Sequence, residues 1–253
     1  SHDPTRCRVI GVLDDGVASL GATALAHLRT ADVVIGGART LALFRHALKP
    51  GTLTHDLTGQ LKAVPGWVRA AREAHQSCVV LATGDPLCHG IAPYLAQHLC
   101  LDALEILPNL STLQLACARV GLAWQDARIV SVHAADAGEW QRGAPPSHGL
   151  YALAQALRAE QRLLLLTSPA NCPDRIARLL LAEGLGSDFH MAVAEDLLQP
   201  DEQVHAQLSP TEAASMRFAE LNVVLLWRTR PRPQPVRFGL ADSAFEQRQP
   251  EKG

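Results

Sequence analysis

With 253 residues, 47% of them hydrophobic, the chain is long enough to bury one large core or two smaller ones, and two are favoured. Its 23 Lys and Arg against 25 Asp and Glu leave a formal charge of −2 and no Lys/Arg-rich stretch, so nucleic acid is a disfavoured partner. The apolar runs at 163–166 and 223–227 are too short to cross a bilayer and the N-terminus lacks a signal-peptide pattern, so no membrane partner and a cytoplasmic location are expected.

Apolar, β-branched runs then alternate with segments of helical period, which predicts parallel strands joined by crossover helices, an α/β fold. Residues 8–13 read as a strand, 20–29 as a helix, 32–35 as a strand, and 39–48 and 62–75 as helices. A strand at 78–82, a helix at 91–100 and a strand at 104–107 complete a first unit, placed at 7–108. After a turn at Pro108-Asn109, Ser111 supplies an N-cap hydroxyl for the next helix. The second unit, placed at 109–230, has strands at 128–132, 163–167, 191–194 and 222–227 and helices at 150–159 and 174–183. A turn and short helix around 209–214 precede its last strand. From 231 to 253 prolines and polar residues dominate, a composition that builds no core and reads as a linker. Ser1-His2, without an initiating methionine, reads as an expression remnant. The six cysteines, Cys7, Cys78, Cys88, Cys100, Cys117 and Cys172, contain no CxxC pair, which is unlike a disulfide framework or a zinc site; reduced thiols and no metal are expected.

In an open α/β sheet ligands lie beyond the carboxyl ends of the strands, so the residues following each strand are the informative ones. Three loops stand out. Gly11-Val-Leu-Asp-Asp-Gly16 permits close backbone approach, yet lacks the G-x-G-x-x-G of a dinucleotide loop, and its adjacent acids Asp14 and Asp15 would repel a pyrophosphate. Thr83-Gly84-Asp85-Pro86-Leu87-Cys88-His89-Gly90 combines two glycines, an acid and a rigid proline directly after a buried strand. Asp85 there either caps the following helix or holds a ligand, while Cys88-His89 lacks further metal-ligand spacing. Pro108-Asn-Leu-Ser-Thr112 opens a helix whose N-terminus suits either plain capping or a carboxylate.

In this order, V-I-G-V-L-D-D-G, A-D-V-V-I-G-G-A-R, L-A-T-G-D-P-L-C-H-G-I, P-N-L-S-T-L-Q-L-A-C-A-R-V-G-L, L-T-S-P-A-N-C-P-D-R-I-A, V-A-E-D-L-L-Q-P-D-E-Q-V and L-N-V-V resemble the tetrapyrrole (corrin/porphyrin) methylase family over residues 7–230. The resemblance implies two α/β domains with S-adenosylmethionine in the cleft between them, converted to S-adenosylhomocysteine. It implies a homodimer, and C-methylation of a precorrin in cobalamin biosynthesis, at carbon 5. The tail is similar to the linker of longer fused enzymes, which implies a missing C-terminal methyltransferase/decarboxylase module. By the resemblance Asp14, Thr83, Gly84, Asp85, Cys88, Ser111, Thr112, Thr167 and Leu197 line the cofactor site, largely through backbone groups. Two positions depart from the family: Leu13 stands where glycine is usual, and Gly37 stands where uroporphyrinogen methylases carry an acidic residue, which argues against uroporphyrinogen as substrate.

Methyl transfer from a sulfonium is an in-line displacement, so alignment and exclusion of water are the main demands. A proton must also leave the acceptor, for which His133, at a strand end, is the first candidate base and Asp15 the second, although a rim histidine is more commonly structural. Arg39 and His89 are candidates to meet the carboxylates of the acceptor. On this reading Leu13→Gly leaves or improves cofactor affinity, and Arg39→Glu weakens the acceptor while sparing the cofactor. Competing readings keep the fold but methylate ribosomal RNA or a protein, or make the chain a cofactor-binding module inactive without its partner domain.

Overall fold

The computed structural model describes residues 5–231, and both the terminal dipeptide and almost all of the Pro-rich tail lie outside that range. Five strands, β1 (Cys7–Val12), β2 (Val33–Gly36), β3 (Leu53–Asp56), β4 (Cys78–Thr83) and β5 (Leu104–Leu107), form an all-parallel sheet in the order β3-β2-β4-β1-β5. Helices α1 (Ala22–Thr30), α2 (Ala38–Phe44), α3 (Val64–Glu73) and α4 (Ala92–His98) supply the crossovers. Such a sheet is covered on both faces, which is why its central strands are continuously apolar. Alternation divides them cleanly. Val9, Val33, Ile35 and Val80 face one core cluster with Val64, Val68 and Leu95, and Ile10, Val34, Val79 and Leu81 face the other with Leu28 and Phe44.

Helix α5 (Thr112–Val120) carries the chain into a second sheet of β6 (Arg128–Ser131), β7 (Arg162–Leu166), β8 (Phe189–Glu195), β9 (Gln203–Leu208) and β10 (Asn222–Arg228), ordered β6-β7-β10-β8-β9. Helices α6 (Tyr151–Ala159) and α7 (Pro173–Ala182) cover one face, whose core includes Leu163, Leu165, Met191, Val193 and Val224. Helix α5 covers the other through Leu113, Ala116 and Cys117, packed on Leu164, Ala192, Ala194 and Leu225. Here the expectation of parallel pairing fails: only β6 and β7 are parallel, and β10 pairs antiparallel with both β7 and β8. For β8 and β9 the cause of antiparallel pairing is connection length, since residues 196–202 alone join them, too short for a crossover but ample for a hairpin. The short helix α8 (Pro210–Ala213), opened by a capping box between Ser209 and Glu212, begins the return to β10: Leu208 pairs beside Met191 near the start of β8 and Asn222 beside Glu195 at its end, so residues 209–221 cross the length of the sheet.

Two strands escape the sequence pattern. β3 and β9 are the outer strands of their sheets, and Leu-Thr-His-Asp and Gln-Val-His-Ala-Gln-Leu have the mixed polarity of half-solvated edges. Among the described residues no helix is long and apolar enough to cross a membrane.

Candidate active site

The carboxyl ends of β1, β4 and β5 are drawn together by backbone contacts. Gly84 N–H donates to Val12 C=O at 2.7 Å, and the Asn109 amide donates to the carbonyls of Gly11, at 3.0 Å, and Ser19, at 3.3 Å. A methyl group at Gly11 would stand 2.4 Å from Gly84 O and 2.9 Å from Asn109 Cβ, so only glycine admits this approach. The Thr83–Gly90 loop is internally braced. The Asp85 carboxylate accepts from Leu87 N–H at 2.9 Å, closing a turn inside the loop, whereas α4 begins at Ala92, with Ile91 at its N-cap position and no side-chain cap. The helix-cap role considered for Asp85 is therefore replaced by a loop-turn role. Ser111 does cap α5: Leu113 N–H donates to its Oγ at 3.1 Å, and its own N–H donates to Gln114 Oε1 at 2.8 Å.

Beyond these loops lie two hollows. The larger, about 940 Å³, is walled by Thr83, Gly84, Asp85, Cys88 and His89 on one side and by Ser111, Thr112 and His133 on the other. Its floor is β6, whose alternate residues Ile129 and Ser131 point inward in line with His133. The smaller, about 320 Å³, is lined by Asp14, Arg39, Thr167, Leu197 and Glu220. Thr83, Thr112, His133 and Leu166 line both, so the two hollows adjoin.

Every cofactor position expected from the sequence lines one hollow or the other, and so do Arg39, His89 and His133. Asp15 does not: it heads the 3-10 turn Gly16–Ser19, and its Oδ1 is buried with no hydrogen-bond partner among the described residues. Exposed His133 has no side-chain partner among the described residues, but its strand end is held by Asn171, whose Nδ2 donates to Val132 C=O at 2.8 Å. The loop at 133–149 is further clamped to α7. Arg175 donates to Asp136 and Arg178 to Glu139, each at 2.7 Å, while Trp140 donates its indole N–H to buried Glu183, also at 2.7 Å, and Arg158 pairs with the same carboxylate. Burial alone would raise the Glu183 carboxyl pKa, yet Trp140 and Arg158 together hold it below the ordinary value.

Arg39 was expected at the acceptor and Asp14 at the cofactor, but the two are joined, with Arg39 Nη2 3.1 Å from Asp14 Oδ1. Charge reversal at Arg39 would thus set two carboxylates against each other and disturb both ligands. Arg39 is positioned by α2, whose first N–H, on Ala38, donates to Thr58 Oγ1 at 3.2 Å. Leu13 lines neither hollow. It is 4% exposed and packs in the core of the second sheet with Leu113 and Leu197, so its replacement by glycine carries a folding cost. Sequence reasoning missed Glu220, Leu221 and Asn222, whose loop bears no turn signature, and it missed Ile129 and Ser131, which the period of two leading to His133 does indicate. Three large apolar side chains stand exposed around the opening: Leu87 and Leu221, which line the hollows, and Leu110 beside Ser111.

Residues 7–210 match the profile of the Tetrapyrrole (Corrin/Porphyrin) Methylases. The chain belongs to this family. Among relatives of this tetrapyrrole methylase, cobalt-precorrin-7 C(5)-methyltransferase of Salmonella typhimurium is 29% identical over 218 residues, 86% of the chain and 96% of the relative. Precorrin-6Y C(5,15)-methyltransferase [decarboxylating] of Sinorhizobium sp is 34% identical over 201 residues, 79% of the chain but 44% of that longer relative. The crystal structure of uroporphyrin-III C-methyl transferase from Thermus thermophilus complexed with S-adenyl homocysteine superposes with a TM-score of 0.60 at 23% identity, covering 88% of this methylase and 92% of the other chain, and so shares the fold.

Proposed function

We propose that the chain is an S-adenosylmethionine-dependent C-methyltransferase that acts on a precorrin at carbon 5 in cobalamin biosynthesis, with domains at 7–108 and 109–230 enclosing the reaction. The observation that carries this reading is the convergence of three glycine- and serine-bearing loops on adjoining hollows, one of them edged by the carboxylates Asp14 and Glu220. A donor that is cationic and nucleoside-sized fits that combination of negative charge and exposed backbone. When bound, it supplies an electrophilic methyl group on a positively charged sulfur.

Asp14, Thr83, Gly84, Asp85, Cys88, Ser111, Thr112, Thr167 and Leu197 are the residues proposed to hold and orient the donor. Residue types as unlike as Cys88 and Leu197 serve because backbone groups make the contacts. Leu87, Leu110 and Leu221 offer an apolar surface to a macrocycle, and Arg39 and His89 face its carboxylates. The walls limit water at the reacting carbon. His133 accepts the proton lost from that carbon once the new carbon–carbon bond has formed, which restores the conjugation of the ring. The relative matched over 96% of its length is named for methylation at C5, which supports that position, and among the described residues the lack of Lys or Arg other than Arg39 lining the hollows weighs against an RNA acceptor.

A homodimer in the cytoplasm is part of the proposal, as is association with a C-terminal methyltransferase/decarboxylase module of the kind the relatives of about twice the matched length suggest. Those same relatives favour a second reading, a donor-binding module whose turnover awaits that partner. Calorimetry with S-adenosylmethionine, followed by incubation with the precorrin and location of the transferred methyl by carbon-13 labelling, tests both. Binding with label at carbon 5 is expected. Binding without transfer supports the second reading, and absence of binding overturns both.

A further inference from the structure

Arg39 is the one Lys or Arg among the described residues that lines either hollow, yet an acceptor rich in carboxylates needs cationic partners. Its guanidinium is engaged with Asp14 at 3.1 Å, and Asp14 is its one ion-pair partner among the described residues. The two ends of that pair differ: the Arg39 side chain is 55% exposed and the Asp14 side chain 22%. A pair open to water at its cationic end is held weakly, so Arg39 readily exchanges the Asp14 carboxylate for a better-placed anion. Asp14 is also held from the second half of the chain, where Gln199 Nε2 donates to its Oδ2 at 3.4 Å, so it keeps its place when Arg39 leaves.

From this geometry we infer that Arg39 is a positioning residue that shuttles between Asp14 and a carboxylate of the acceptor, making donor and acceptor bind cooperatively. The inference rests on the proposed function. With the acceptor absent, Arg39 neutralises Asp14 and lowers the attraction of the smaller hollow for a cationic donor. When the acceptor docks, its carboxylate draws Arg39 outward, and the released Asp14 carboxylate attracts the donor's positive charge. By linkage the donor strengthens acceptor binding by the same factor. Neither ligand need touch the other, and no bond is made or broken in the exchange.

The test is calorimetric titration of the full chain with S-adenosylmethionine, which carries the sulfonium charge, with and without cobyrinic acid as a stable corrin polycarboxylate. In the wild type the corrin should tighten the nucleoside by about fivefold, and the reverse titration should give the same factor. In Arg39→Gln the factor should fall to about 1, while affinity measured without corrin rises about threefold because Asp14 is already free. Asp14→Asn should also abolish the coupling, and Arg39→Lys, which keeps the charge, should restore part of it. Coupling that persists undiminished in Arg39→Gln, or its absence from a wild type that binds both ligands, overturns the shuttle alone. A wild type that binds no S-adenosylmethionine overturns the proposed function and the shuttle with it.

Discussion

Gly11 sets how closely two loops meet. Because a Cβ there would stand 2.4 Å from Gly84 O, Gly11→Ala forces the Thr83–Gly90 loop away from β1. Overpacking of this kind costs about 2 kcal/mol, and the displaced Gly84 and Asp85 should weaken S-adenosylhomocysteine by tenfold or so. Urea denaturation beside calorimetry reads both effects. His133 calls for a different measurement, because its imidazole is exposed and has no side-chain partner among the described residues. His133→Ala should leave the melting temperature within error and lower the single-turnover methylation rate by about 100-fold. An undiminished rate would dismiss it as the base.

At the scale of elements, the loop from β6 to α6 owes its place to charge. The Glu183 carboxylate, 3% exposed, is held below its ordinary pKa of 4.5 by Trp140 and Arg158 acting against burial, so it stabilises the fold above that pH and ceases to do so as pH falls through the lowered value. Glu183→Gln should accordingly cost about 2 kcal/mol at pH 7, and the gap to the wild type should narrow as pH drops below 4.5. Guanidinium unfolding from pH 7 down to 3 follows it. A gap that stayed constant with pH would show that the amide replaces the carboxylate fully. Strand existence was legible in runs such as 78–82 and 222–227, since β-branched and leucine-rich stretches bounded by turn residues have few alternatives. Strand direction was not. Period tells which face is buried, whereas the β8–β9 hairpin follows from its short connection and the antiparallel course of β10 from its insertion between β7 and β8, a tertiary placement. The site divides in the same way. Thr83–Gly90 and Ser111-Thr112 were readable because glycine, proline and serine are needed there by the backbone itself. Glu220 and Asn222 reach the hollow only through the pairing of β10 with β8 and β7, a tertiary fact with no local mark.

Across the whole molecule, Leu13 does what a glycine in its place could not. It belongs to the loop after β1, yet its side chain lies in the apolar cluster of the second sheet, so it joins the two halves beside the one connection that carries the chain between them. Leu13→Ala should cost about 3 kcal/mol, within the range for large-to-small changes in a core. It should also loosen S-adenosylhomocysteine, because Asp14 follows it directly. Differential scanning calorimetry would reveal the loss as a lower or divided transition, and an unchanged melt would contradict the packing role. The exposed leucines Leu87, Leu110 and Leu221 act at this scale too. A greasy rim of this kind wets poorly, so a flat ligand that covers it also shields the protein from its own copies. Solubility then becomes tied to occupancy: the protein keeps best in the company of what it binds.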